Sequence, residues 1–147
     1  MAKQIAKIGD VFKVPLEDGS FVSGQIVEIQ KEVLNSITCA FFDSRTDTLP
    51  GTDLEKHKLI SVQFVTKDLF NSGKWERIEN NKVTLSTKLL PYRETKKKGW
   101  VGAKVIGSGI IEMFLNAFYG LRPWDEMKDS EYYQKLLLPG VERAVSA

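Results

Sequence analysis

The side chains that could perform chemistry are few, and the sequence places no catalytic set around them. His57 is the single histidine, and it stands between Lys56 and Lys58 in a polar stretch. A metal site needs further ligands at characteristic spacing, and a nucleophilic triad needs a packed histidine beside a hydroxyl or thiol. The segment around His57 supplies neither, so we interpret it as an exposed loop residue. The sequence accordingly predicts no catalytic residue, no metal and no cofactor.

A second possible nucleophile is Cys39, the single cysteine of the chain. Its neighbours Thr38, Ala40 and Phe41 form a run that is typical of a buried strand. No basic residue adjoins the thiol to lower its pKa, so we expect a small core residue rather than a reactive group. One cysteine excludes an intrachain disulfide and fits a reducing compartment.

Two segments could contact phosphate groups. Residues 102–109 carry the glycines of a phosphate-binding loop, but Ser108 stands where a Walker lysine should follow Gly107. We expect these glycines to allow close backbone packing instead. The segment from Arg93 to Trp100 is basic, and it could track a nucleic-acid backbone while the indole stacks on a base. A nucleic-acid-binding β-barrel module is therefore the alternative function, although a net charge of +2 does not indicate that partner by itself.

Arginine and aromatic side chains cluster near the C-terminus, at Arg122, Trp124, Tyr132 and Tyr133. Tryptophan, tyrosine and arginine are the usual anchors of protein interfaces. They also hold terminal helices against sheets, and Trp124 is the member that we expect to reach the core. Both roles stay open at this point.

Apolar patterns predict the strands that must position these groups: most alternate, and residues 37–42 are apolar on both faces, as in a central strand. Residues 11–16, 21–29, 37–42 and 60–64 are predicted strands, and weaker strands follow at 75–78 and 83–85. Asp18 and Gly19 form a tight hairpin turn between the first two. The apolar phase of the second strand slips, which predicts a bulge or a bend near Gly24.

The C-terminal third predicts two helices. The first runs from Ser108 or Gly109 to Tyr119, with Glu112, Asn116 and Tyr119 as its wet stripe, and ends at Gly120 and Pro123. The second spans residues 130–137 behind an Asp129 cap. The predicted fold class is α+β: a strongly curved, barrel-like antiparallel sheet of about five to seven strands, followed by two C-terminal helices packed on it.

Length and composition bound the organisation. The 147 residues are 42% hydrophobic and 27% charged, which predicts one globular domain that folds without disulfides or metal. We divide it into a mainly β part (1–106), a helical part (107–138) and a tail (139–147). The N-terminus has no apolar signal region, and residues 105–121 are too short and polar to span a bilayer, so the expected location is cytoplasmic.

Certain turn, glycine and aromatic positions carry a family resemblance. They are Gly9, Asp10, Phe12, Pro15, Gly19, Gly24, Gly120, Pro123 and Trp124. In this pattern the chain resembles the immunity protein 26 family of bacterial polymorphic toxin systems, from about Ile8 to Leu138. The resemblance implies a cytosolic protein that binds and neutralises a toxin domain carried by related strains. It also implies no enzymatic role and no cofactor.

The hypothesis that follows is steric occlusion of a toxin by exposed strand residues and by the polar loop from Asp43 to Lys58. The candidate partner-binding residues are Asp43, Asp47, Asp53, Glu55, Arg122 and Tyr132. No membrane partner is expected, and monomer and dimer stay open. An enzyme is a third hypothesis, since the opening hairpin is similar to that of small-barrel endoribonuclease toxins, but no catalytic set can be placed for it.

Overall fold

Apolar strand patterns build an open sheet to which the described residues contribute six strands. The computed structural model describes residues 3–30, 36–47, 54, 57–84 and 105–143. The strands are β1 (Asp10–Pro15), β2 (Phe21–Gln30), β3 (Ser36–Phe42), β4 (Leu59–Thr66), β5 (Glu76–Asn80) and β6 (Val105–Ile106). They lie in the order β5-β1-β2-β3-β4-β6. Neighbouring strands are antiparallel except β6, which pairs in parallel with β4.

The expected barrel-like curvature is wrong. A barrel requires its terminal strands to pair, and here β5 and β6 occupy opposite edges of the sheet. The phase slip in β2 is real, but it is a single shift in register against β3 between Ile26 and Glu28, shortly after Gly24. One bulge bends one strand locally without closing a sheet. The parallel pairing of β6 also makes the sheet mixed rather than antiparallel.

The described residues form three helices beside the sheet, and the positions of these helices differ in part from those expected. They are α1 (Asp68–Asn71), α2 (Ser108–Phe118) and α3 (Tyr132–Leu136). The prediction of α2 is confirmed, and Gly120 follows it with a φ of 78°. The helix α3 is shorter than predicted, and the Asp129 carboxylate accepts hydrogen bonds from the Glu131 backbone at 3.0 Å and from the Lys135 side chain at 2.7 Å. The helix α1 was not predicted, because four residues are too few to show a helical period.

The four long strands were predicted correctly, whereas the weaker ones were not all correct. The strand expected at 75–78 is β5, which begins one residue later. Residues 83 and 84 lie outside any strand, and residue 85 lies outside the described residues. The strand β6 was missed because two residues carry no period.

The main core lies between the sheet and the helices. Phe12 of β1 stacks on Trp75 with ring centroids 5.2 Å apart and an interplanar angle of 4°. Phe70 of α1 meets Phe12 edge to face at 5.7 Å. The helix α2 adds Ile111, Phe114, Leu115 and Phe118 to the same cluster. Burying each such side chain contributes about 1.5–3 kcal/mol, so this cluster fixes α2 against the sheet.

The wet stripe predicted on α2 is wrong. Asn116 and Tyr119 are only 4% and 6% exposed. The Asn116 side chain accepts a hydrogen bond from the Glu17 backbone at 2.8 Å, which joins α2 to the β1–β2 turn. Glu112 accepts a hydrogen bond from the Trp75 indole at 3.0 Å. These polar side chains face protein partners rather than solvent, because their hydrogen bonds compensate for burial.

The Gly9–Asp10 pair has a structural explanation. Gly9 has a φ of 96°, and a Cβ there would lie 2.5 Å from the Asn81 carbonyl oxygen. Asp10 is 1% exposed and accepts hydrogen bonds from the Lys7 backbone and the Asn80 side chain, both at 3.0 Å. Arg77 lies 3.4 Å from the same carboxylate. This carboxylate joins the start of β1 to the end of β5.

The remaining positions of the resemblance also lie at turns and close contacts. Gly24 faces the Phe12 ring, and a Cβ there would lie 2.6 Å from the Phe12 Cζ. Pro15 ends β1 opposite Phe21. Trp124 is half-buried, with its ring 6.0 Å from that of Phe114.

Candidate partner-binding surface

Three elements meet at the end of the molecule that carries the β1–β2 turn. They are that turn, the residues after β3 and the segment after α2. Backbone hydrogen bonds between Phe21 and Thr46, at 2.7 and 3.0 Å, hold the residues after β3 to the start of β2. We call this surface the turn end, and it comprises the charged side chains Glu17, Asp18, Asp43, Arg45, Arg122 and Glu126.

Arg45 links the turn to α2. Its guanidinium pairs with Asp18, its Nε donates to the Ser20 hydroxyl at 3.2 Å, and it lies 5.4 Å from the centroid of the Tyr119 ring. The Ser20 hydroxyl and backbone hydrogen bonds, with smaller help from Arg45, lower the pKa of Asp18 to about 2. Asp18 is therefore ionised at neutral pH, and Arg45 is held by several contacts at once.

Tyr119 positions Asp43. Its hydroxyl donates to the Asp43 Oδ1 at 2.6 Å. Burial raises the pKa of Tyr119, and the adjacent carboxylate raises it further, so the hydroxyl stays a donor. The Asp43 backbone also donates to the Lys58 carbonyl oxygen at 2.8 Å. Asp43 is exposed and yet fixed in orientation.

Arg122 organises the segment that follows α2. It contacts Glu126 through two nitrogens, at 2.7 to 3.0 Å, and reaches Glu17 at 3.3 Å. The Tyr133 hydroxyl donates to the same Glu126 carboxylate at 2.6 Å. Hydrogen bonding from Arg122 and then from Tyr133 lowers the pKa of Glu126. Arg122 thus ties this segment to the β1–β2 turn, and its side chain remains 32% exposed.

A surface cavity of about 340 Å³ adjoins the turn end. Its floor and walls include both apolar and charged side chains. The apolar ones are Leu59, Ile60, Phe118 and Val141. The charged ones are Asp43, Lys58, Glu142 and Arg143. The Leu138 backbone donates to the Ile60 carbonyl oxygen at 3.0 Å, and this bond fixes the chain that leads into the residue 140–143 wall.

The structure brings some of the six candidate residues together. Asp43 and Arg122 both belong to the turn end. Asp47 is exposed just after the Phe21–Thr46 bridge. Tyr132 begins α3, half-buried, with its ring 6.1 Å from that of Tyr133. Asp53 and Glu55 lie outside the described residues, as does the Arg93–Trp100 segment.

Sequence reasoning placed Arg45 in the predicted contact loop without selecting it, and missed Tyr119 and Glu126 as members of this surface. Tyr119 and its partner Asp43 are 76 positions apart. No local period signals such a contact, because it depends on how α2 lies across the sheet. The one local signal is the glycine that ends α2, which places Tyr119 at the helix terminus.

The close backbone packing expected at the glycines of residues 102–109 is wrong for Gly107 and Gly109, because a Cβ there would meet nothing closer than 3.9 Å. The other chemical candidates have structural partners or are buried. The Ser108 backbone donates to the Thr66 hydroxyl at 2.9 Å, and the Ser108 hydroxyl donates to the Asp68 carboxylate at 2.7 Å. A carboxylate therefore stands at the start of α2, where a phosphate would have to bind. Cys39 is fully buried, as predicted, and burial raises the pKa of its thiol.

The described residues contain neither a candidate metal-binding group nor a membrane-spanning helix. No group of three or more histidine, cysteine, aspartate or glutamate side chains in them could hold a metal ion. No helix among residues 3–30, 36–47, 54, 57–84 and 105–143 is long and apolar enough to cross a membrane.

Comparison with known proteins identifies the family. The family model described as Immunity protein 26 matches residues 7–102. The chain belongs to the immunity protein 26 family, which confirms the resemblance drawn from the sequence. The match includes β1 to β5 and ends before β6, α2 and α3. No curated protein and no solved structure matches the chain.

Proposed function

We propose that this protein is an immunity protein that binds a cognate bacterial toxin domain and neutralises it by steric occlusion. The observation that carries the proposal is membership of the immunity protein 26 family. On this proposal the whole chain acts as one domain in the cytoplasm, without a cofactor and without catalysing a reaction. Its partner is a protein, and the stability of the complex determines how well it protects.

The turn end and its neighbour Asp47 are the proposed contact surface. A tight inhibitor buries about 1,200–2,000 Å² in total, with a few arginine or aromatic anchors near the centre. Arg45 and Arg122 are already held by Asp18 and by Glu126. Side chains that are ordered before binding lose less entropy on association, so such a surface is suited to tight binding. Asp53, Glu55 and Tyr132 remain proposed contacts around it.

Mixed charge gives this surface a means of selecting its partner. Complementary charges steer encounter, and like charges placed opposite each other exclude wrong partners. Asp18 pairs with Arg45, Arg122 pairs with Glu17 and Glu126, and Asp43 and Asp47 are exposed, so the surface presents both signs of charge. A cognate toxin should therefore associate faster at low salt than at high salt.

Co-expression tests the proposal. The product of the gene adjacent to this one, produced alone in a bacterial host, should stop growth. Growth should return when this protein is co-produced, and the two purified proteins should elute as one complex. A neighbouring product that is harmless, or that stays toxic in the presence of this protein, contradicts the proposed function.

A charge-reversal pair locates the surface. Asp47→Lys should weaken the complex at least about tenfold, as expected for a lost or repulsive charge pair. Glu79→Lys is the matched control, because Glu79 is exposed on β5 near the Asp10 end of β1. Equal affinities for the two variants would move the contact surface away from the turn end.

A further inference from the structure

We infer that the cavity beside Asp43 receives a basic side chain, arginine or lysine, that projects from the partner protein. This inference rests on the proposed function for the identity of the partner. The chemistry of the cavity determines what kind of side chain it holds.

The cavity has the size and the partly apolar lining that a long basic side chain requires. A volume of about 340 Å³ is enough for one long side chain and the water around it. Ile60 and Phe118, which are buried, and Val141, which is half-buried, line it. Arginine and lysine carry apolar stems that lie along such surfaces while the charged head stays at the rim.

The Asp43 carboxylate at the cavity is fixed in orientation. The Tyr119 hydroxyl occupies one oxygen of Asp43 at 2.6 Å. Among the described residues, Tyr119 is the one whose side chain donates to the Asp43 carboxylate, and none of them donates to its second oxygen. A charged acceptor whose orientation is already fixed forms a strong hydrogen bond with a guanidinium or ammonium group. Asp43 therefore marks the position of the incoming positive charge.

The other charged side chains that line the cavity are less fixed than Asp43 or already have a partner. Arg143 lies 5.3 Å from the centroid of the Trp124 ring, so its guanidinium already has an aromatic partner. Within the described part of the chain, Lys58 and Glu142 form no ion pair, and both are exposed. Exposed, unpaired side chains are mobile and hydrated, so they contribute less to selectivity than the fixed Asp43.

A small-molecule probe tests the cavity without the toxin. N-acetyl-arginine amide is titrated into the full chain while backbone amide signals are recorded by NMR. We expect saturable shifts at Lys58–Ile60 and Gly140–Arg143, with a dissociation constant on the order of millimolar. N-acetyl-glutamate amide and N-acetyl-norleucine amide, which offer the opposite charge and no charge, should bind at least about tenfold more weakly.

Two matched variants assign the effect to one carboxylate. Asp43→Asn keeps an oxygen that accepts from Tyr119 and removes the charge, so it should weaken N-acetyl-arginine amide about tenfold. Glu79→Gln removes an exposed charge on β5 that does not line the cavity, and it should leave binding unchanged. The inference is overturned by absence of saturable shifts, by tighter binding of the glutamate probe, or by equal binding to Asp43→Asn.

The toxin assay separates this inference from the proposed function. If the wild-type protein protects and Asp43→Asn binds the toxin at least about tenfold more weakly, both are supported. If the wild-type protein and Asp43→Asn both protect and bind the toxin with equal affinity, the cavity inference fails and the proposed function stands. If the wild-type protein does not protect, the proposed function fails, and the N-acetyl-arginine amide titration alone decides what the cavity binds.

Discussion

The two ends of β1 use the same residue types for different purposes. Gly9 precedes β1 and Asp10 is its first residue, whereas Asp18 and Gly19 lie in the turn that follows β1. Both glycines have positive φ, 96° and 86°. Asp10 is 1% exposed and joins β1 to β5, whereas the Asp18 side chain is 34% exposed and pairs with Arg45. Burial, rather than residue type, decides which aspartate holds the fold and which one is available to a partner.

Removing the buried carboxylate should have the largest effect. Asp10→Ala leaves the Lys7 backbone, Asn80 and Arg77 without their acceptor, so we expect the free energy of unfolding to fall by about 3 kcal/mol. Urea unfolding with an unchanged m-value measures this. Asp18→Ala is the control and should cost clearly less, since water replaces its contacts. Equal losses of unfolding free energy in Asp10→Ala and Asp18→Ala would contradict the difference between the buried and the exposed aspartate.

The two glycines make a second matched pair. Alanine at Gly9 meets both positive φ and a carbonyl oxygen 2.5 Å from its Cβ, whereas Gly19 has nothing within 4 Å of that position. Gly9→Ala should therefore lower the free energy of unfolding by about 2 kcal/mol more than Gly19→Ala, whose cost is about 1 kcal/mol of backbone strain. Thermal unfolding of both variants measures the difference. A larger loss for Gly19→Ala would contradict the crowding seen at Gly9.

Tyr119→Phe sharpens the comparison at the turn end. It removes one hydrogen bond to an exposed carboxylate and keeps the ring in the core, so the free energy of unfolding should fall by only about 1 kcal/mol. Chemical denaturation measures that loss. A fall as large as that of Asp10→Ala would mean that the turn end also determines the fold.

The smallest effect is a pH dependence. Folding lowers the pKa of Asp18 from 3.8 to about 2, chiefly through the Ser20 side chain. The folded state therefore binds this proton less tightly than the unfolded chain. Asp18 stabilises the fold above pH 3.8, and this stabilisation is lost as the pH falls toward 2.

Two variants rank the causes of that shift. Ser20→Ala should raise the pKa of Asp18 more than Arg45→Gln does, because the Ser20 hydroxyl donates to the Asp18 carboxylate at 2.5 Å and lowers its pKa more than Arg45 does. NMR titration of the Asp18 carboxyl carbon measures both values. The reverse ranking would make the ion pair, rather than the turn, the main influence on this carboxylate.

Local pattern predicted the parts of the fold that depend on local physics. Period-two alternation located β1, β2 and β4, a run that is apolar on both faces located β3, and Gly120 marked the end of α2. The strand order could not be predicted in this way, because β5 returns to pair with β1 across more than sixty positions of chain. The curvature was misjudged for the same reason, since a bulge in β2 resembles a barrel corner until the partners of the edge strands are known.

The candidate surface shows a similar division. Asp43 and Arg122 could be selected as charged or anchor-type residues near loops. Their partners could not be, because Tyr119 was assigned to solvent on helical spacing alone. An amphipathic period separates apolar from polar side chains, but it does not distinguish a solvated tyrosine from one whose hydroxyl meets a carboxylate on a neighbouring element.

The burial of Cys39 has a practical consequence for studying the partner. Because the single thiol of the chain lies in the middle of β3 with no exposed surface, maleimide reagents should not reach it in the folded protein. A cysteine introduced at Asp47 would then be the sole labelling position. A fluorophore attached there would lie next to the turn end and would report association by a change in its emission.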